Sequence, residues 1–153
     1  MSRQETLSAT EDDLDPARGP SLSIVVTLFD EAGTLEELHR RLTAALEAVD
    51  RSYEVLYVDD GSTDGSFALL ERLHADDPHI RAVRLKRNAG QHPAMHAGLS
   101  RARGEIVVTM DGDLQNPPED VPRLVEAVEA GYDVASGRRA ARHDSWAGRC
   151  PPA

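Results

Sequence analysis

Four short apolar runs, each followed by a polar loop and then by apolar residues at helical spacing, leave this chain few architectures to adopt. Residues 23–29 lead through Asp30, Glu31 and Gly33 to Leu35, Leu38, Leu42, Ala45, Leu46 and Val49. Residues 53–58 end in Asp59-Asp60-Gly61-Ser62-Thr63-Asp64, and Phe67, Leu69, Leu70 and Leu73 follow before Pro78. Residues 80–85 run into Arg87-Asn88-Ala89-Gly90 and a helical stretch to about residue 102, broken at Gly104. Residues 106–110 end in Asp111-Gly112-Asp113; Pro117-Pro118 then opens a helix over about 119–130, and 132–136 reads as a last short strand. Near-continuous apolar strands alternating with amphipathic helices predict a parallel sheet covered on both faces and joined by right-handed crossovers. The expected class is α/β, doubly wound. Ligands in such sheets sit beyond the carboxyl ends of the strands, which here carry Asp30-Glu31, Asp59-Asp60, Arg87-Asn88 and Asp111/Asp113.

At 153 residues the chain has room for one compact domain. Residues 1–20 mix Ser, Thr, Asp and Glu with Pro16 and Pro20 and lack a sustained apolar period, which reads as a flexible acidic leader. The domain is then expected over 21–146, with 147–153 as a tail. A formal charge of −10 argues against a nucleic-acid partner, because a phosphate backbone is held by clustered Lys and Arg. The stretch from Arg138 is nevertheless locally basic, with four Arg against Asp144. A single cysteine, Cys150, excludes an internal disulfide and fits a reducing compartment, so a cytoplasmic location is expected. No apolar run approaches the roughly 18 residues needed to cross a bilayer. The N-terminus is acidic where a signal peptide would be basic and then apolar.

Asp111-Gly112-Asp113 places two carboxylates one residue apart at a strand end, where a loop can turn both toward one cation. Such hard oxygen ligands suit Mg²⁺ or Mn²⁺, which can in turn bridge the phosphates of a nucleoside diphosphate. Taken alone, an Asp-x-Asp pair is more often a solvated loop or a helix cap. The Leu114-Gln115-Asn116-Pro117-Pro118-Glu119 exit is stiff because both prolines fix φ, and the second is suited to opening a helix. The acids of Asp59-Asp60-Gly61-Ser62-Thr63-Asp64 would repel phosphate but can accept bonds from ribose hydroxyls or a base N–H; the same segment also reads as a turn capping the next helix. His92 and His96 stand four apart, but with no Cys, Asp or Glu beside them a zinc site is not expected.

Together these segments resemble family 2 glycosyltransferases in order and spacing. The matching stretches are Ser23-Ile24-Val25-Val26 leading into Phe29-Asp30-Glu31, Val58 through Asp64, Arg87-Asn88-Ala89-Gly90, and Asp111 through Glu119. The last is the most specific and looks like the branch that contains dolichyl-phosphate mannose synthases and bacterial undecaprenyl-phosphate sugar transferases. Gly137-Arg138-Arg139 and Arg142-His143-Asp144-Ser145-Trp146 are similar to the segment that follows in the bacterial members, so the resemblance covers about residues 22–146. It implies a GT-A type fold and inverting transfer of a sugar from a UDP- or GDP-sugar donor to a polyprenyl phosphate, with Mg²⁺ or Mn²⁺ as cofactor. It also implies work at the inner face of the membrane, with a membrane subunit or a second copy as further partners.

Carried over residue by residue, the resemblance assigns Glu31, Asp59, Asp60 and Asp111 to the donor nucleotide and Asp111, Asp113 and Gln115 to the metal and diphosphate. Asp113, Arg138 and Arg139 would be catalytic, and Arg138, Arg139 and Arg142 would meet the acceptor phosphate, whose oxygens guanidinium forks fit. The arginines read equally as a basic surface leaning toward anionic lipid headgroups. Two departures stand out. The family usually shows Pro and Asn where this chain has Thr27 and Asp30, and Asp30 would add negative charge near the donor. The sequence also stops at Pro151-Pro152-Ala153, where members of this branch usually continue, so the fold is expected to be incomplete at the C-terminus. The alternative to a complete enzyme is a nucleotide-binding half-domain that turns over only when completed by further residues or a partner.

Overall fold

The computed structural model describes residues 19–137. The leader up to residue 18, the arginines Arg138, Arg139 and Arg142, and the tail lie outside the described residues.

Strand β1 (Leu22–Leu28) is buried along its whole length, as a strand must be when it has neighbours on both sides and helices on both faces. It pairs in parallel with β2 (Tyr53–Asp59) on one side and β4 (Ile106–Asp111) on the other, while β3 (Ile80–Arg84) adds to the outside of β2. The order is therefore β3-β2-β1-β4. Helices α1 (Leu35–Leu46) and α2 (Ser66–Asp76) carry the chain outward from β1 to β3, and α3 (Gln91–Leu99) carries it back past β1 to β4. Right-handed crossovers in opposite directions put α3 on the opposite face from α1 and α2. The apolar clusters follow that division. Leu35, Leu38, Leu42 and Leu46 of α1, Leu69 and Leu70 of α2, and Val121 and Val125 of α4 (Val121–Glu129) pack with Ile24, Val26, Tyr57 and Met110. Ala94 of α3 packs with Val25, Leu56 and Val58 behind them. The α/β, doubly wound expectation holds.

Strand limits agree with the apolar runs to within a residue, but the strand expected over 132–136 is not formed. Helix α4 ends at a Schellman closure: Gly131, at φ 105, donates its N–H to the Val128 carbonyl, and Tyr132 donates to that of Ala127. The following residues have no partner strand among the described residues, and Tyr132 and Val134 stand 66% and 83% exposed. A β-type composition makes a strand only where a ladder exists to receive it. The two prolines behave as expected: Pro117 is extended, and Pro118–Asp120 forms a single 3-10 turn leading into α4.

At the far end of the sheet from the acidic loops, Glu54 is buried to 2% exposure. It accepts bonds from Ser23 Oγ, the Arg81 guanidinium, and both the backbone and side chain of Arg103. Burial pushes its carboxyl up, but these bonds together outweigh that and hold it at about 2.

Candidate functional site

Strand order reverses between β1 and β4, since the chain runs outward from β1 and then returns to its other side. A crevice is expected beyond the carboxyl ends at such a point, and a cavity of about 320 Å³ lies there. Its walls come from Thr27 to Phe29 and Glu31 at the end of β1 and beyond, Asp60 after β2, Asn88 and Gly90 before α3, Gln91 and Ala94 within it, and Asp111, Gly112 and Asp113 at the end of β4. A larger groove of about 460 Å³ between α1 and α4 is lined by Arg40 and Arg41, which are already paired with Glu37 and Glu119. It gathers no comparable set of acids.

The loops that follow β1 and β2 are knitted together along one side of the cavity. Asp30, held at φ 54, donates its N–H to Ser62 Oγ and accepts the Thr63 N–H at 2.7 Å. Glu31 N–H donates to Ser66 Oγ, and Ala32 N–H to Asp64. The carboxylate of Asp30 is thus tied to the neighbouring loop and is not among the cavity-lining groups. Its charge therefore lies beside the cavity, between the lining residues Phe29 and Glu31, and not in the lining itself.

Asp59 and Asp60, assigned together from the sequence, part ways. Asp60, 4% exposed, lines the cavity and accepts the backbone N–H groups of Ala89 and Gly90 at 2.8 and 2.9 Å. Asp59 is fully buried beneath it, accepting the Ser62 N–H. Its second oxygen is 3.4 Å from Arg84 Nε, within ion-pair range but outside hydrogen-bond geometry. Successive residues of a strand point to opposite sides, and the two adjacent acids at the end of β2 accordingly bond to different loops. Arg84 also donates to the Ser62 carbonyl and lies over the Phe67 ring, which ties this loop to β3.

Glu31 is held by Thr34, whose hydroxyl donates to Glu31 Oε2 at 2.7 Å and lies 3.3 Å from the Gly112 carbonyl. Asp111 and Asp113 both face the cavity. Asp111 Oδ1 accepts from Gln91 Nε2 at 2.6 Å and lies 3.4 Å from Thr27 Oγ1, and Asp113 Oδ1 accepts the Gln115 N–H at 3.0 Å. Gln115 itself is exposed and contributes that backbone group, with its side chain outside the lining. The turn between the two acids and the prolines holds Leu114 at φ 60, an unusual conformation for such a residue, while its side chain packs on the core. Glu119, the last acid of that motif, grips Arg41 of α1 through two bonds of 2.7 and 2.6 Å. It braces α1 against the 3-10 turn.

Several lining residues were given no ligand role of their own by the sequence, Phe29 and Gln91 among them, while Asn88 was placed only with the residues at the carboxyl edge. Phe29, 42% exposed, offers an aromatic face at the mouth. A large apolar side chain left exposed directly after a buried strand was the available signal for Phe29. The basic residues assigned to an acceptor, Arg138, Arg139 and Arg142, lie outside the described residues.

Comparison with known proteins agrees with this architecture. Residues 23–149 match the sequence family described as glycosyl transferase family 2. The chain belongs to that family. One curated relative, undecaprenyl-phosphate 4-deoxy-4-formamido-L-arabinose transferase of Sodalis glossinidius (strain morsitans), is 50% identical over 132 residues, or 86% of this chain and 40% of that protein. Among solved structures, the mannosyltransferase PcManGT from Pyrobaculum calidifontis, in complex with GDP-Man and Mn²⁺, superposes with a TM-score of 0.61 at 29% identity, covering 70% of this chain and 32% of that one. TarS 1-349 of S. aureus in complex with UDP-GlcNAc shares the fold, with a TM-score of 0.57 at 23% identity over 70% of this chain and 30% of its own. The chain thus spans two fifths or less of the length of these relatives, and its fold is that of GT-A glycosyltransferases.

Proposed function

We propose that this chain carries the donor-binding portion of a metal-dependent, inverting glycosyltransferase that moves a sugar from a nucleoside-diphosphate donor to a polyprenyl phosphate. The observation that carries this reading is the convergence of Glu31, Asp60, Asp111 and Asp113 on one cavity at the switch point of the sheet. The acceptor class is taken from the name of the 50%-identical relative, and the use of a divalent metal is supported by the Mn²⁺ bound in PcManGT.

Glu31 and Asp60 meet the nucleoside, with Asp59 stiffening the loop beneath them, and Phe29 gives the base a flat apolar surface. The residues fit a cation: Asp111 and Asp113 each have one oxygen without a bond from any described residue. Mg²⁺ is commonly held by one or two carboxylates plus substrate phosphates. Bound there, it supplies the positive charge that neutralises a departing diphosphate. Gln115 is a further ligand only by resemblance, since its side chain lies outside the cavity lining.

A phosphate acceptor is already anionic near neutral pH, so the protein's task is positioning and charge complementarity, without a strong general base. One acceptor oxygen attacks the anomeric carbon as its bond to the diphosphate breaks, which inverts that centre. Arg138, Arg139 and Arg142 are the acceptor-side cations in this reading. Work at the inner membrane face follows from the lipid acceptor. Among the described residues no helix is long and apolar enough to cross a membrane.

The test is calorimetric titration of the purified chain with UDP and with GDP, each with and without Mn²⁺. Binding of one nucleotide only when metal is present is the expected result; no binding of either overturns the reading. Because the chain spans 40% of its curated relative, transfer is assayed separately. Binding without transfer identifies a donor-binding half that needs further residues or a partner.

A further inference from the structure

We infer that Gln91, the first residue of α3, is a positioning residue for Asp111: its neutral amide fixes one oxygen of the carboxylate, which stays anionic, and leaves the other oxygen for a divalent cation. The inference rests on the reading of Asp111 and Asp113 as the cation site.

The geometry is specific. Gln91 Nε2 lies 2.6 Å from Asp111 Oδ1, the shortest contact made by any side chain to either acid of the pair. The amide can face the carboxylate only through its NH₂ group, because its oxygen would meet Oδ1 with repulsion. Thr27, register partner of Asp111 across the β1–β4 ladder, adds its hydroxyl to the same oxygen at 3.4 Å. Both side-chain donors fall on Oδ1, and Oδ2 receives none from the described residues.

The chemical type of the donor matters as much as its position. Lys or Arg at position 91 would hold Asp111 as firmly but would cancel its charge and compete with an incoming cation. An amide orients the carboxylate and remains neutral. Ligand carboxylates are commonly held by such outer hydrogen bonds, which stop the ligand from rotating away.

The amide is itself placed by the backbone before it. Gly90 adopts φ 97 and ψ 163, a conformation closed to residues with a side chain, and its N–H is held by Asp60. The carboxylate on the nucleoside side therefore determines where α3 begins, and the first side chain of α3 reaches the carboxylate on the cation side. Asp60, Gly90, Gln91 and Asp111 form one continuous connection across the cavity.

The test is Mn²⁺ binding to the whole 153-residue chain in the presence of saturating UDP or GDP, followed by electron paramagnetic resonance, for wild type, Gln91→Ala, Gln91→Met and Asp111→Ala. Thermal unfolding is recorded for each. Gln91→Met keeps the length and apolar bulk of the side chain and lacks the donor. Both Gln91 variants are expected to bind Mn²⁺ about tenfold more weakly, with melting temperatures unchanged because the side chain is exposed. Affinity in both variants within twofold of wild type overturns the inference and leaves the cation site standing. Loss in Gln91→Ala alone also overturns it, since bulk rather than the hydrogen bond would then be responsible. Failure of wild type to take up Mn²⁺ overturns the cation site and this inference together.

Discussion

Asp60 accepts the backbone N–H of Gly90 at 2.9 Å, so the acid that opens the loop after β2 holds the entry to α3 in place. The same carboxylate takes the Ala89 N–H at 2.8 Å, and together the two bonds fix the end of the loop between β3 and α3 as one wall of the cavity. A residue placed by sequence in a ligand-binding role is thereby also a structural anchor.

Asp60→Ala is expected to lose two bonds to a charged acceptor, leaving the Ala89 N–H without its partner and the Gly90 N–H with only its 3.1 Å bond to Asn88 Oδ1, at a cost of about 2–3 kcal/mol. Urea denaturation reads that loss. Nucleotide binding should fall with it, and Asp60→Asn, which keeps one acceptor, should lie between Ala and wild type in both measurements.

Asp111→Ala and Asp113→Ala should separate binding from folding. Both side chains line the cavity and neither is buried, so denaturation midpoints should stay close to wild type. Metal-dependent nucleotide affinity should drop at least about tenfold, and EDTA should reduce wild type to the same level. Nucleotide affinity unchanged by EDTA would remove the metal from the proposed role of these two acids.

Gly98→Ala tests how closely α3 lies on the sheet. Alanine is favoured over glycine within a helix by about 1 kcal/mol, yet a Cβ here would run into Val25 Cγ1 and lie 3.0 Å from Val58 Cγ2. Forcing a methyl group into a filled core costs about 1–3 kcal/mol. The steric effect should win, and the variant should melt below wild type.

Glu54 links stability to acid. Its folded carboxyl sits at about 2 against an ordinary 4.5, so it binds a proton less readily in the folded state. Its contribution is therefore complete above 4.5 and should disappear as the pH falls from there toward 2. Denaturation midpoints measured between pH 7 and pH 2 should fall more steeply for wild type than for Glu54→Gln. At neutral pH that variant should be about 2 kcal/mol less stable, because it loses the charge on the acceptor of several bonds, and the loss is held to that size because the partly exposed guanidinium groups of Arg81 and Arg103 regain water. Parallel pH profiles for the two proteins would show that the Glu54 cluster does not supply this dependence.

The sheet was legible because continuous apolar runs such as 23–28 and 54–58 admit few alternatives to a strand buried on both faces. Residues 132–136 misled because strand composition says nothing about whether a partner is within reach. Within the site, Asp111 and Asp113 announced themselves by spacing, and the loop pairing of Asp30 with Thr63 did not. Adjacent Asp59 and Asp60 look equivalent in sequence, and only the strand alternation and the approach of Ala89 and Gly90 separate them. Gln91 carried no signal: a polar residue at a helix start is ordinary until the fold brings it to an acid twenty positions away.

The backbone ladder that pairs Thr27 with Asp111 and Leu28 with Asp59 also limits how this chain can change. Loops between elements can lengthen while the strands keep their pairing. A single residue inserted within β4 would rotate everything beyond it to the other face, carrying Asp111 to the side of Val108 and Met110. Lineages of this domain should therefore gather insertions in the connections and almost none inside β1 and β4, with the strands acting as a fixed ruler for the distance between the acids.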